Sequence, residues 1–129
     1  MAKKILIVDD DPQLVTYLKA ILEDNCYDVI TAEDGNEALE KTKKENPDLI
    51  SLDLLMPEKT GIKMFRELRK DEQIKDIPVI MVTGIAGECQ TFAEFKTFIS
   101  KRKISAPEAY LEKPINPEEY LAKIREILP

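Results

Sequence analysis

Three stretches of this chain, Ile5–Val8, Leu49–Leu52 and Val79–Val82, read as short apolar runs of β-branched residues and leucine. A strand apolar on both of its faces must be covered on both, which points to a parallel sheet enclosed between helices rather than a half-wet antiparallel one. Tyr27–Ala32 reads as a more polar, edge-like strand and Ala109–Leu111 as a short fifth. No internal repeat, low-complexity tract or linker interrupts this order.

Amphipathic segments separate the runs. Asp11 followed by Pro12 supplies an N-cap and a proline at the first helical position, opening Pro12–Asp24 with Leu14, Leu18, Ile21 and Leu22 on one face. Asp34 with Glu37 approximates a capping box, with Ala38 and Leu39 turned inward. Thr60 can cap Gly61–Lys70, which buries Ile62, Phe65 and Leu68. Asn116-Pro117-Glu118-Glu119 is the clearest helix start, and Leu121, Ile124 and Leu128 form the inward stripe after it. Strand and helix therefore alternate five times, and right-handed crossovers turn such a (βα)5 chain into a doubly wound α/β sandwich. At 129 residues a single domain, 1–129, is expected, with no effector domain in the chain.

The polar residues gather where the runs end. The first run ends in Asp9-Asp10-Asp11, the third in Asp53, the fourth in Thr83 and the fifth in Glu112-Lys113, while the second ends in Thr31-Ala32 and offers nothing obvious. In open α/β sheets ligands bind beyond the carboxyl ends of the strands, so these groups share one edge. Converging carboxylates repel each other unless a cation sits among them. Oxygen donors without His or Cys suit Mg²⁺, which keeps several waters and accepts carboxylate and phosphoryl oxygens. Lys113 adds an ammonium and Thr83 a hydroxyl, so the set would orient a phosphoryl group beside a carboxylate nucleophile.

Composition removes competing chemistries. With no histidine, the chain can hold neither a histidine-based triad nor an imidazole metal ligand, and no phosphohistidine can form on it. The 19 basic and 25 acidic residues give a net charge of −6, which argues against nucleic acid or an anionic membrane as a partner. Cys26 and Cys89 lie too far apart for a metal-binding or redox motif and read as a reduced pair of small apolar residues. The apolar part of the N-terminus is too short for a signal peptide or membrane span, so a cytoplasmic location is expected.

Four segments, KILIVDDDP, DLISLDLLMPEKTG, IPVIMVTG and AYLEKPI, occur in an order that resembles the receiver domain of two-component response regulators. The resemblance spans essentially the whole chain. It implies a flavodoxin-like five-stranded parallel sheet in the order 2-1-3-4-5, a topology for which a chemotaxis receiver is a standard example. It also implies that Asp53 accepts a phosphoryl group from the phosphohistidine of a sensor histidine kinase or phosphotransfer protein. Asp9 and Asp10 would hold Mg²⁺ together with Asp53 and the backbone carbonyl of Leu55, Asp10 being favoured over Asp9 as direct ligand. Thr83 and Lys113 would bind phosphoryl oxygens, Pro57 and Gly61 would shape the loop behind the nucleophile, and the Lys113-Pro114 bond would be cis. Tyr110 occupies the aromatic switch position. Phosphorylation gives Asp53 a group of charge about −2; Thr83 would move toward it, Tyr110 would rotate into the space, and the face of the fourth helix, fifth strand and fifth helix would change for an output partner or a homodimer.

Two departures from the family pattern are visible. The 29 residues between Thr83 and Lys113 are more than a typical receiver has, and they carry Phe92, Phe95, Phe98 and Ile99 at helical spacing, either packed on the sheet or forming a partner surface. Lys101-Arg102-Lys103 suits a last helical turn or a basic docking patch. The positions flanking the path of attacking water, Leu55 and Ile85, are both apolar, so slow self-catalysed dephosphorylation is expected. Three rival readings compete with the receiver: a haloacid-dehalogenase-like Mg²⁺ phosphohydrolase with Asp9 as nucleophile, a flavodoxin-like FMN binder, and a receiver-like binding module independent of phosphorylation.

Overall fold

The computed structural model describes residues 2–53, 61–83 and 105–129, the side chains of 61, 62 and 83 excepted. Five strands, β1 (Lys4–Val8), β2 (Asp28–Ala32), β3 (Leu49–Asp53), β4 (Val79–Thr83) and β5 (Ala109–Glu112), form one parallel sheet in the order β2-β1-β3-β4-β5. Four helices are described with it: α1 (Pro12–Asp24), α2 (Gly35–Glu45), α3 (Gly61–Lys70) and the C-terminal helix (Pro117–Ile127). The expected strand boundaries hold to within one residue at each end. None of the helices among the described residues is long and apolar enough to cross a membrane.

Alternation along the strands divides the core into two layers. Leu6, Val8, Ile50, Leu52 and Met81 pack against Ala38 of α2 and Met64, Phe65 and Leu68 of α3. Ile5, Ile7, Leu49, Ile80, Val82 and Leu111 pack against Leu18 and Leu22 of α1 and Tyr120 and Ile124 of the C-terminal helix. The capping residues act as the sequence suggests. Asp11 accepts hydrogen bonds from the amides of Gln13 and Leu14, and Asn116 from those of Glu118 and Glu119. Asp34 accepts from the Glu37 amide, but the Glu37 carboxylate reaches back to the amide of Glu33 rather than to that of the cap itself.

Three expectations are corrected. The Leu49–Leu52 run is not apolar throughout, because Ser51 lies within it and is buried in mid-sheet. The inward stripe of the C-terminal helix is Tyr120 and Ile124, with Leu121 and Leu128 only partly buried. Within α1 the expected face is the inner one, with Leu18 and Leu22 buried, Leu14 packed partly buried against the same layer and Ile21 intermediate. Cys26 is exposed rather than packed as an apolar residue. It sits just past α1 at φ 70°, where its amide bonds to the Glu23 carbonyl and that of Tyr27 to the Leu22 carbonyl, the pattern of a Schellman stop. The Thr60 cap, the Phe92–Ile99 stripe, the basic Lys101–Lys103 segment and Cys89 lie outside the described residues.

At the amino-terminal edge of the sheet, Arg69 of α3 closes the fold. All five of its N–H donors are used: toward the carbonyls of Lys75, Ile77, Ser105 and Ala106 and the carboxylate of Glu108, over 2.7–3.4 Å. Its side chain is 4% exposed, and its guanidinium lies 4.8 Å from the centre of the Phe65 ring. The same Glu108 oxygen accepts from the Val79 amide at 2.7 Å, so one ion pair ties α3 to the entries of β4 and β5.

Candidate functional site

The opposite, carboxyl-terminal edge collects the acids. Asp9 follows β1, and Asp53 ends β3. Because β1 and β3 are neighbours in the sheet, the two carboxylates meet, and Asp10 joins them with one oxygen of each lying within 4.8 Å of the others. Asp9 and Asp53 are buried, whereas Asp10 is exposed. The Asp11 amide donates to Asp9 Oδ1 at 3.0 Å, so the residue whose side chain caps α1 also orients Asp9 through its backbone.

Lys113, just past β5, spans the two buried acids, with Nζ 3.4 Å from Asp9 Oδ2 and 3.5 Å from Asp53 Oδ2. Burial lowers its pKa, but attraction to Asp53 and Asp9 outweighs that and holds the ammonium above its ordinary value. For Asp9 the balance runs the other way. Burial raises its pKa and the Asp10 charge adds to this, while the Asp11 amide and Lys113 oppose it without cancelling it. The peptide bond between Lys113 and Pro114 is cis.

The end of β2, which offered nothing obvious in the sequence, forms a wall. Thr31, Ala32 and Glu33 line a cavity of about 150 Å³ with Asp9, Asp10, Pro12, Val15 and Thr16, and the Asp9 amide donates to the Ala32 carbonyl. Tyr110 lies on β5, partly buried against the α2/α3 side of the core, and burial raises the pKa of its phenol. Thr83 ends β4 and Gly61 begins α3; Leu55, Pro57 and Ile85 lie outside the described residues.

Three oxygen donors on a small arc, two of them buried, fit a hard divalent cation of the Mg²⁺ type. Among the described residues one ammonium faces three carboxylates, an excess of negative charge that favours a cation. The Asp9-x-Asp11 pair of a phosphohydrolase is not assembled, because the Asp11 carboxylate is engaged in capping α1.

A family model described as the response regulator receiver domain matches residues 5–125. The chain belongs to the response regulator receiver family. The alkaline phosphatase synthesis transcriptional regulatory protein PhoP of Bacillus subtilis is 38% identical over 128 residues, which are 99% of this chain and 49% of that protein. A CheY-like response regulator receiver domain protein from Methanospirillum hungatei superposes with a TM-score of 0.84 at 34% identity, covering 99% of this chain and 94% of the other. The chemotaxis response regulator CheY4 of Vibrio cholerae gives 0.82 at 31% identity, with 98% and 99% covered. This receiver spans about half the length of the curated relatives it matches. As a receiver it is a phosphoacceptor switch module of two-component signalling, and the phosphohydrolase and phosphorylation-independent readings find no support.

Sequence reasoning missed Arg69, Glu108, Ser51 and Tyr120. Ser51 was legible as a polar residue inside an apolar run. Arg69 carries no local signal, because the carbonyls that satisfy it come from segments up to 37 positions away.

Proposed function

We propose that residues 1–129 act as a single receiver domain in which Asp53 takes a phosphoryl group from the phosphohistidine of a sensor kinase or phosphotransfer protein. An Asp53 carboxylate oxygen attacks phosphorus, the phosphorus–nitrogen bond breaks, and the electron pair returns to the partner's imidazole. The phosphohistidine lies outside these 129 residues, which contain no histidine. The observation that carries the reading is Lys113 bridging Asp9 and Asp53 beside exposed Asp10. Lys113 would balance charge at the nucleophile and pair with a phosphoryl oxygen. Asp9, Asp10, Asp53 and the Leu55 carbonyl would hold Mg²⁺, which supplies Lewis-acid neutralisation of phosphoryl charge. Thr83 would contact another phosphoryl oxygen, and Tyr110 would couple that contact to the face of the fourth helix, fifth strand and fifth helix, where an output partner or second copy binds. The size of that response is set by the differential contacts of the two states.

On this reading the domain works in the cytoplasm and catalyses only its own phosphorylation and dephosphorylation. Apolar Leu55 and Ile85 leave the attacking water without an orienting group, so the phosphorylated state is long-lived. Incubation with Mg²⁺ and acetyl phosphate, followed by intact-mass measurement, tests it. The wild type should gain one base-labile phosphoryl group and Asp53→Asn none, while Asp9→Asn should still be modified, more slowly. An adduct that persists in Asp53→Asn overturns the assignment, and decay within seconds without a phosphatase overturns the lifetime.

A further inference from the structure

Laterally the sheet ends in two outer strands, β2 on one side and β5 on the other. The Asp28 amide donates to the Lys3 carbonyl and the Asp9 amide to the Ala32 carbonyl, so the even-numbered residues of β2 turn their backbone groups toward β1. Those groups alternate sides along a strand, and the amides and carbonyls of Val29, Thr31 and Glu33 therefore point out of the sheet. A row of this kind is a template on which another strand can pair.

The carboxyl-terminal half of that row is already taken. Lys41 of α2 donates to the Thr31 carbonyl, and Glu37, one turn earlier, accepts from the Glu33 amide at 2.7 Å. The two side chains also pair with each other at 3.3 Å. In a parallel ladder, one residue of an added strand would donate to the first of these backbone groups and accept from the second. The ion pair thus fills the place of one residue of a sixth strand. Burial does not call for it, since the two side chains are 38% and 41% exposed, and such a pair on a helix surface contributes little by itself.

We propose that Glu37 and Lys41 hold the β2 edge closed to a second copy of this chain. The same edge on two copies is self-complementary about a twofold axis. With the axis at Ile30, Val29 of one copy meets Thr31 of the other, and each such pair exchanges two backbone hydrogen bonds. Half of those bonds need the Thr31 carbonyl, which Lys41 occupies. The same alignment sets Asp28 opposite Ala32 and Glu33 opposite Tyr27, so no two acids face each other directly across the seam. Without the ion pair, two five-stranded sheets can join into one continuous sheet.

The test compares wild type, Lys41→Met, Glu37→Leu and the double variant, each over a concentration series. Sedimentation velocity reads the oligomeric state, and residue-resolved amide hydrogen exchange reads where copies meet. In wild type the Glu33 amide should be protected, while those of Val29 and Thr31 exchange fast at every concentration. Glu37→Leu should speed exchange at Glu33 about three- to tenfold, the worth of one hydrogen bond. The double variant should sediment increasingly as a dimer as concentration rises, with the Val29 and Thr31 amides gaining protection in step. Lys41→Met alone frees the Thr31 carbonyl and should show the same two changes; it carries the test should the double variant fail to fold. Variants that stay monomeric, or that associate while the Val29 and Thr31 amides remain fast, overturn the proposal. So does a wild type in which those two amides gain protection with concentration.

Discussion

Each edge of the sheet holds a buried or half-buried cation paired with acid, and the two clusters are built on opposite principles. At the amino-terminal edge, Arg69 meets one carboxylate and four carbonyls, and every donor it owns is satisfied. At the carboxyl-terminal edge, Lys113 meets Asp9 and Asp53 at 3.4 and 3.5 Å with Asp10 beside them, one positive charge against three negative. The first cluster pairs every donor of its cation. Among the described residues the second gathers more carboxylates than cations, the arrangement that suits a divalent ion. The contrast within one small domain is between a cation saturated by its partners and a group of acids that outnumber the described cation beside them.

The largest effect should come from breaking the closed cluster. Arg69→Leu removes donors from four carbonyls and leaves Glu108 to rehydrate, and it should cost about 3 kcal/mol or more in urea unfolding. At temperatures where the variant remains folded, its Mg²⁺ affinity should match that of wild type. If the affinity falls with the stability, the two edges are coupled and do not act as separate structural and ion-binding clusters. Lys113→Met should cost less, about 2 kcal/mol, because the pair it breaks is partly open to water. The signature of this variant is partial recovery: Mg²⁺ should restore more stability to Lys113→Met than it adds to wild type, since the ion substitutes for the missing ammonium.

Mg²⁺ itself supplies the next measurement. An ion that binds only the folded state stabilises it by about 1.4 kcal/mol at ten times its Kd. Thermal unfolding at rising Mg²⁺ should therefore move the wild-type midpoint upward, and Asp10→Asn should flatten the response. A midpoint indifferent to Mg²⁺ in wild type would show that the acids gather without holding a cation.

The fold was legible because its signals are local. Asp11-Pro12 and Asn116-Pro117 mark two helix starts, and the runs at Ile5–Val8 and Val79–Val82 mark two buried strands. The acid cluster was legible for a related reason: its members end or directly follow a strand, and a parallel sheet delivers strand ends to one edge. The closed cluster was not, because Arg69 draws its partners from Lys75 to Glu108 and its own neighbours in sequence give no hint of them. Tyr120 and Leu121 are adjacent, and helix geometry rather than hydrophobicity decides that the tyrosine is the one fully buried.

The smallest effect, and the most diagnostic of charge imbalance, belongs to Asp9. Burial raises its folded-state pKa above the unfolded value near 3.8. Its contribution to stability is therefore fully present below pH 3.8 and is lost as pH rises through the folded-state value. Asn cannot ionise and escapes that loss. In chelator-containing buffer, Asp9→Asn should match wild type at low pH and become the more stable of the two, by about 1 kcal/mol or less, as pH approaches neutrality. Urea midpoints across this range give the sign directly. A variant that is less stable at neutral pH would mean that Lys113 compensates Asp9 fully, and the carboxyl-terminal cluster would then be as closed as the one around Arg69.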